Sequence, residues 1–180
     1  MDRIYITGAP GCGVTTLGRA LADRIGAPAI DIDDHYWERT DPPYQVKLGV
    51  KERLRRIGAE QARTGRWVVS GSLETWGAHL VAEAQLIVFL EAPTELRLAR
   101  LRRRESERFG DAILPGGALF ETHRYFLEWT ADYELGTRSG RSRPRQEEWL
   151  ATVPNPILRL DAAQPTEALM AEALAFAASG

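Results

Sequence analysis

The chain has 180 residues, 44% of them apolar and 27% charged, and a formal net charge of −2. That is enough chain for one domain with its own core, and the single cysteine, Cys12, excludes both a disulfide framework and a Cys-rich zinc site within one chain. The near-neutral balance gives no global attraction to nucleic acid or anionic membrane, no apolar run has membrane-spanning length, and Met1-Asp2-Arg3 carries no leader pattern, so the cytoplasm is the expected location.

Ile4 to Thr7 reads as a short buried strand, ended by the glycines at 8, 11 and 13. Val14, Leu17, Leu21 and Ile25 then recur at helical spacing, and Gly26 is a natural stop. Ala29 to Ile32 is expected as a second strand. An acidic and aromatic loop follows, Asp33-Asp34-His35-Tyr36-Trp37, running into Thr40-Asp41-Pro42-Pro43, where the prolines exclude regular structure. Residues 46–63 favour helix, with Gly49 and Gly58 arguing against a single straight one.

Trp67 to Ser70 and Leu86 to Leu90 are short, nearly continuous apolar runs, as in strands covered on both faces. A helix is expected from about Pro93 to Arg108, with the proline at its first turn. The glycines at 110, 116 and 117 open a flexible region, and residues 118–134 read as a further helix. Gly136 to Pro144 is polar, basic and turn-rich. Pro156 to Leu160 makes a fifth strand and Thr166 to Ala178 an alanine-rich closing helix. Strands alternating with helices imply an α/β fold, a mostly parallel sheet with helices on both faces. Ligands of such sheets sit outside the carboxyl ends of the strands.

The residues of chemical interest collect at that edge. Gly8-Ala9-Pro10-Gly11-Cys12-Gly13-Val14-Thr15-Thr16 follows a strand and opens a helix, matching the P-loop pattern G-x-x-x-x-G-K-[ST] except that Val14 stands in the lysine position. The glycines let backbone N–H groups turn toward phosphate oxygens, the helix start adds its positive end, and Thr15 offers the hydroxyl that normally ligates Mg²⁺. What is lost is a point charge on the β- and γ-phosphates, so binding needs no substitute but chemistry requires a cation from elsewhere. A looser rival is dinucleotide binding, since Thr7-Gly8-x-x-Gly11 with Asp31 has part of a nicotinamide-cofactor fingerprint, but Val14 or Thr16 occupies the third small position.

Alternation along a strand through Asp31 and Asp33 would put both acids on one side. One carboxylate there can hold a Mg²⁺-bound water and the other can accept a proton from a hydroxyl, or both can cap the next turn. Asp34 and Trp37 are candidate pocket residues, as are Gly71 and Ser72 after the third strand, which itself ends in Ser70 rather than an acid. His35 has no metal partner pattern, and Trp76 fits a pocket wall and a core equally. For a replacement cation, Arg100, Arg104, Arg141 and Arg143 are the candidates, because a mobile arginine-rich segment can close on phosphate; Arg19 is a less favoured one.

In order along the chain, Ile4 to Thr16, Asp31 to Asp34, Trp67 to Ser72 and Leu86 to Arg100 resemble the adenylate-kinase-related and shikimate-kinase-like branch of the P-loop kinases. The resemblance implies a three-layer P-loop NTPase fold, a five-stranded parallel sheet of order 2-3-1-4-5 and a helical lid. It implies one domain over 1–180, with 35–66 as an acceptor-binding insertion and 105–147 as the lid-like segment. In shikimate-kinase-like members a D-x-D at the end of strand 2 serves Mg²⁺ and the acceptor hydroxyl, which falls on Asp31 and Asp33, and adenine contacts fall near Asp161 to Pro165. The expected activity is transfer of the γ-phosphate of ATP, or GTP, to a small-molecule or nucleotide acceptor. A non-catalytic triphosphate-binding module is the alternative, and nothing in the sequence indicates a nucleic-acid partner or an oligomeric state.

Overall fold

A computed structural model of the protein describes residues 1–41, 43 and 45–179, the side chain of Ser179 excepted; Pro42 of the proline break and Tyr44 of the expected insertion lie outside the described residues. Five strands, β1 (Arg3–Gly8), β2 (Ala29–Asp31), β3 (Trp67–Ser70), β4 (Leu86–Glu91) and β5 (Ile157–Asp161), form one sheet in the order β2-β3-β1-β4-β5. Every pairing is parallel, with Ile6 opposite Ser70 on one side and Val88 on the other, and Leu90 opposite Leu160. All carboxyl ends therefore meet at one edge. The edge position of β2, outside β3, separates this sheet from a dinucleotide-binding one, in which strand 2 lies beside strand 1.

Seven α-helices are described: α1 (Val14–Ile25), α2 (Ile32–Tyr36), α3 (Val50–Thr64), α4 (Thr94–Phe109), α5 (Phe120–Ala131), α6 (Arg143–Leu150) and α7 (Thr166–Ser179). Side chains alternate across the strands, so β1 sends Ile4 and Ile6 into a core completed by Leu17 and Leu21 of α1 and Leu169 and Ala173 of α7. Tyr5 points the other way, with Val69, Ile87 and Phe89, against Ile57 of α3 and Leu150 of α6. Burying each such aliphatic side chain contributes roughly 1.5–3 kcal/mol. The central strands β1, β3 and β4 are covered on both faces, as their unbroken apolar runs require.

Two local expectations need correction. Ile32 does not extend β2, and residues 32–36 are not a loop. The Asp31 carboxylate accepts the Asp33 amide at 3.1 Å, capping α2, so the chain turns helical one residue earlier than the apolar pattern indicates. Asp33 is then the second residue of a helix, and strand alternation does not relate it to Asp31. The second correction concerns the basic segment, whose turns end at Ser142. Pro144 falls in the first turn of α6, where its missing N–H costs nothing, and the helix runs on to Leu150. The stretch read as one helix over 118–134 is α5 followed by a 3₁₀ turn at Asp132–Glu134.

Candidate functional site

Between β1 and α1 the chain makes a concave turn. Gly11 and Gly13 lie in the left-handed region, with φ of +85° and +87°. At Gly11 a Cβ would stand 2.7 Å from the Arg97 carbonyl oxygen, so neither backbone angle nor space admits another residue. The Cys12 amide donates to Ala9 O at 3.2 Å, and that of Leu17 to Gly13 O at 3.0 Å. Among the described residues, the amides of Gly11, Gly13, Val14, Thr15 and Thr16 donate to no protein acceptor. Five free donors around one helix start make an anion cradle. Burial pushes the Cys12 thiol up to about 11, so this side chain is neutral packing beneath the loop.

Arg97 fixes the loop from below. It is 0% exposed, and its guanidinium bonds Ala92 O (3.1 Å), Pro10 O (3.5 Å), Thr130 O (3.4 Å), Thr94 Oγ1 (2.8 Å) and Glu134 Oε1 (2.9 Å). Three carbonyls and one carboxylate thus satisfy a buried cation, which ties the cradle to α4 and to the 3₁₀ turn.

On the β2 side, the Thr15 hydroxyl lies close enough to the Asp31 carboxylate to favour its charged form somewhat. Burial, and then the charge of Asp33, raise the Asp31 pKa above the usual carboxylate value. Arg19 Nη2 is 3.9 Å from Asp31 Oδ2 and largely exposed, so it relieves this only weakly. Asp33 and Asp34 are exposed on α2, and Thr16 is exposed on α1.

The four candidate arginines part company. Arg141 Nη1 donates to Gly8 O at 3.3 Å, its guanidinium lies 5.8 Å from the Trp129 ring, and its buried Nε has no partner among the described residues. Arg143 is matched by carboxylates: it pairs with Glu91, with Glu134 at 3.3 Å and with Glu147 at 3.8 Å. Arg100 donates to Ala162 O at 2.8 Å, in the turn after β5, and Arg104 sits exposed beside Glu105 at 2.7 Å. A cleft of about 550 Å³ opens nearby, between Pro93, Thr94, Arg143 and Asp161.

Two groups not singled out in the sequence stand at the same edge. Glu74, after β3, accepts from Thr7 Oγ1 (3.0 Å), from Ser72 Oγ and from Gln146 Nε2. Arg53, in the first turn of α3, is 6% exposed. Its Nε donates to Leu48 O at 2.6 Å, and its guanidinium lies 3.7 Å from the Tyr36 ring and 5.3 Å from that of Trp76. Among the described residues no carboxylate pairs with it. Trp37 packs against Tyr36 at 5.0 Å, and Trp76 serves both as a wall here and as cover for the core. His35 faces Glu60 at 3.5 Å, and Gly71 approaches Ile32, where a Cβ would come within 2.7 Å. The signal for Arg53 and Glu74 was slight: one arginine among several in a charged helix, one acid in a turn.

Residues 4–112 match the family described as an AAA domain. Over 158 residues the chain is 35% identical to the uncharacterized protein YqaC of Bacillus subtilis (strain 168), covering 88% of this chain and 87% of that one. It is 25% identical over 126 residues to the cytidylate kinase of Pyrobaculum neutrophilum, covering 61% of this chain and 64% of that enzyme. In structure it resembles the shikimate kinase of Bacteroides thetaiotaomicron, with a TM-score of 0.58, 18% identity and 97% of each chain covered. The fold is that of the P-loop kinases.

Proposed function

Because this chain belongs to the AAA domain family, and its sheet is that of the P-loop kinases, we propose that it is an ATP- or GTP-dependent phosphotransferase acting on a small acceptor, with Arg141 in the office of the missing lysine. The observation that carries this reading is the set of free amides from Gly11 to Thr16, with an incompletely bonded guanidinium at Gly8. Residues Gly8 to Thr16 hold the phosphates. Arg141 supplies charge at the β- and γ-phosphates, and Arg100 stands toward the nucleobase, beside the turn after β5. Arg143 belongs to the lid-like segment 105–147, and Arg104 immediately precedes it; the segment closes over the site and excludes water.

Thr15 and Asp31 offer hard oxygen donors that suit Mg²⁺, and a cation there offsets the burial and the repulsion that raise the Asp31 pKa. When bound, it neutralises phosphate charge. On the acceptor side, within the 35–66 insertion and its neighbours, Arg53 holds an anionic group between Tyr36 and Trp76, while Asp34, Trp37, Gly71 and Ser72 complete the wall. Asp33 accepts the acceptor's hydroxyl proton as the acceptor oxygen bonds to the γ-phosphorus. The bond from that phosphorus to the β,γ-bridging oxygen breaks, and the nucleoside diphosphate leaves.

A second reading, a triphosphate-binding module without turnover, draws on Val14 alone. The test is titration of ATP and GTP with Mg²⁺, then transfer of labelled γ-phosphate to a panel of hydroxylated carboxylates and nucleoside monophosphates, for wild type, Val14→Lys and Arg141→Ala. Transfer by wild type that Arg141→Ala abolishes supports the phosphotransferase. Tight binding with no transfer to any acceptor supports the module, and absence of binding sinks both.

A further inference from the structure

Arg141 lies on a turn far from the cradle in sequence, so something must hold that turn in place. The amide of Gln146 does so at its base. Its Oε1 accepts the Tyr133 hydroxyl at 2.5 Å, closing the segment from 133 to 146 on itself, and its Nε2 donates to Thr7 Oγ1 at 2.8 Å and to Glu74 Oε1. Gln146 is 1% exposed and Tyr133 3%, so these bonds are shielded from water and costly to break. Thr7 precedes Gly8, whose carbonyl Arg141 meets. Base and tip of the closed segment therefore rest on adjacent residues of β1.

Glu74 is the one charged group in this network. Oε1 takes Thr7 Oγ1 and Gln146 Nε2, and Oε2 takes the Ser72 hydroxyl. Those are three donors on one carboxylate, and no cation appears among its hydrogen-bond partners. The charge makes each bond stronger than a neutral one, and it links the turn after β3 to the segment that carries Arg141. No acid stands at the end of β3, where Ser70 is buried. The first carboxylate after β3 comes instead four residues later and faces the segment.

We propose that Glu74 is a positioning residue: through Gln146 it holds the 133–146 segment so that Arg141 stands at the cradle, and through Ser72 it ties that placement to the acceptor side. What Arg141 does there rests on the phosphotransferase reading; what Glu74 holds does not. Two measurements separate them. The first is hydrogen exchange by mass spectrometry on the full chain without nucleotide. Glu74→Gln is expected to speed exchange in peptides covering 133–146 about tenfold or more, with β1 and β4 unchanged, whereas Arg141→Ala leaves those peptides near wild type. The second is kinetics: Glu74→Gln lowers kcat about tenfold with nucleotide KM nearly constant, and the double variant is no slower than Arg141→Ala alone.

Unchanged exchange over 133–146 in Glu74→Gln overturns the proposal, and so do rate losses that multiply in the double variant. If wild type transfers no phosphate, the phosphotransferase reading fails and exchange alone decides the role of Glu74. Should Glu74→Gln not fold, Gln146→Leu is read in its place, with the same exchange pattern expected and a protected segment again overturning the idea.

Discussion

The guanidinium of Arg141 meets the carbonyl oxygen of Gly8 at 3.3 Å across 133 positions of sequence. A carbonyl and a ring face leave a cation short of partners, and among the described residues the buried Nε beside them has none. The arrangement leaves charge available at the mouth of a loop whose helix begins with valine. Arg141→Ala is expected to lower phosphate transfer by about 10²–10³, the usual loss for one preorganised donor at developing charge, with little change in triphosphate affinity. Equal losses in binding and in rate would assign Arg141 to ground-state binding only.

Cys12 should resist alkylation. With its thiol pushed up to about 11 by burial, the thiolate fraction at pH 8 is roughly 10⁻³, about two orders of magnitude below that of an exposed cysteine of pKa about 9. The folded value lies above the unfolded one, so the protonated form favours the fold. This contribution is whole below pH 9 and fades as pH climbs toward 11. Timed labelling with iodoacetamide, native against urea-unfolded, checks it; rapid native labelling at pH 8 would mean the loop opens readily.

Asp31 is a burden to the empty protein. Burial, then the Asp33 charge, raise its pKa, so the fold favours the protonated carboxyl and stability drops as pH rises through the interval between its unfolded and folded pKa values. Asparagine caps a helix as well as aspartate does. Asp31→Asn is therefore expected to raise the Tm of the nucleotide-free protein at pH 7, and to remove any upward shift produced by Mg²⁺. A Mg²⁺ shift that persists in Asp31→Asn would place the cation elsewhere.

Gly11→Ala should cost roughly 2–3 kcal/mol in urea unfolding, because a φ of +85° and a carbonyl at 2.7 Å from the new Cβ act together. Gly49, at extended φ of −61° with open space around it, provides the contrast: Gly49→Ala is expected to change stability by less than about 1 kcal/mol.

The parts of this molecule written in local periodicity could be read from residues alone. Ile4 to Thr7, Leu86 to Leu90 and the Val14–Leu17–Leu21–Ile25 stripe each carry their own burial pattern, and the glycines of the cradle carry their own angles. Asp31 misled because one side-chain bond to Asp33 N outweighs the preference of an apolar run to stay extended. Arg53, Glu74 and Gln146 were illegible for another reason. Their partners lie at Leu48 and Tyr36, at Thr7, and at Tyr133, and only the folded chain brings these together. Among twenty-one arginines, nothing local tells the satisfied Arg97 from the Arg141 left short of partners.

Val14 packs against the apolar cluster beneath α1. A lysine at a helix start would look to its ligand for a partner, whereas this side chain is already anchored in hydrocarbon. The entropy of ordering the first turn is thus spent at folding, not at docking. An anion docking here would meet amides already standing in place, and this turn should wander as little without nucleotide as with it.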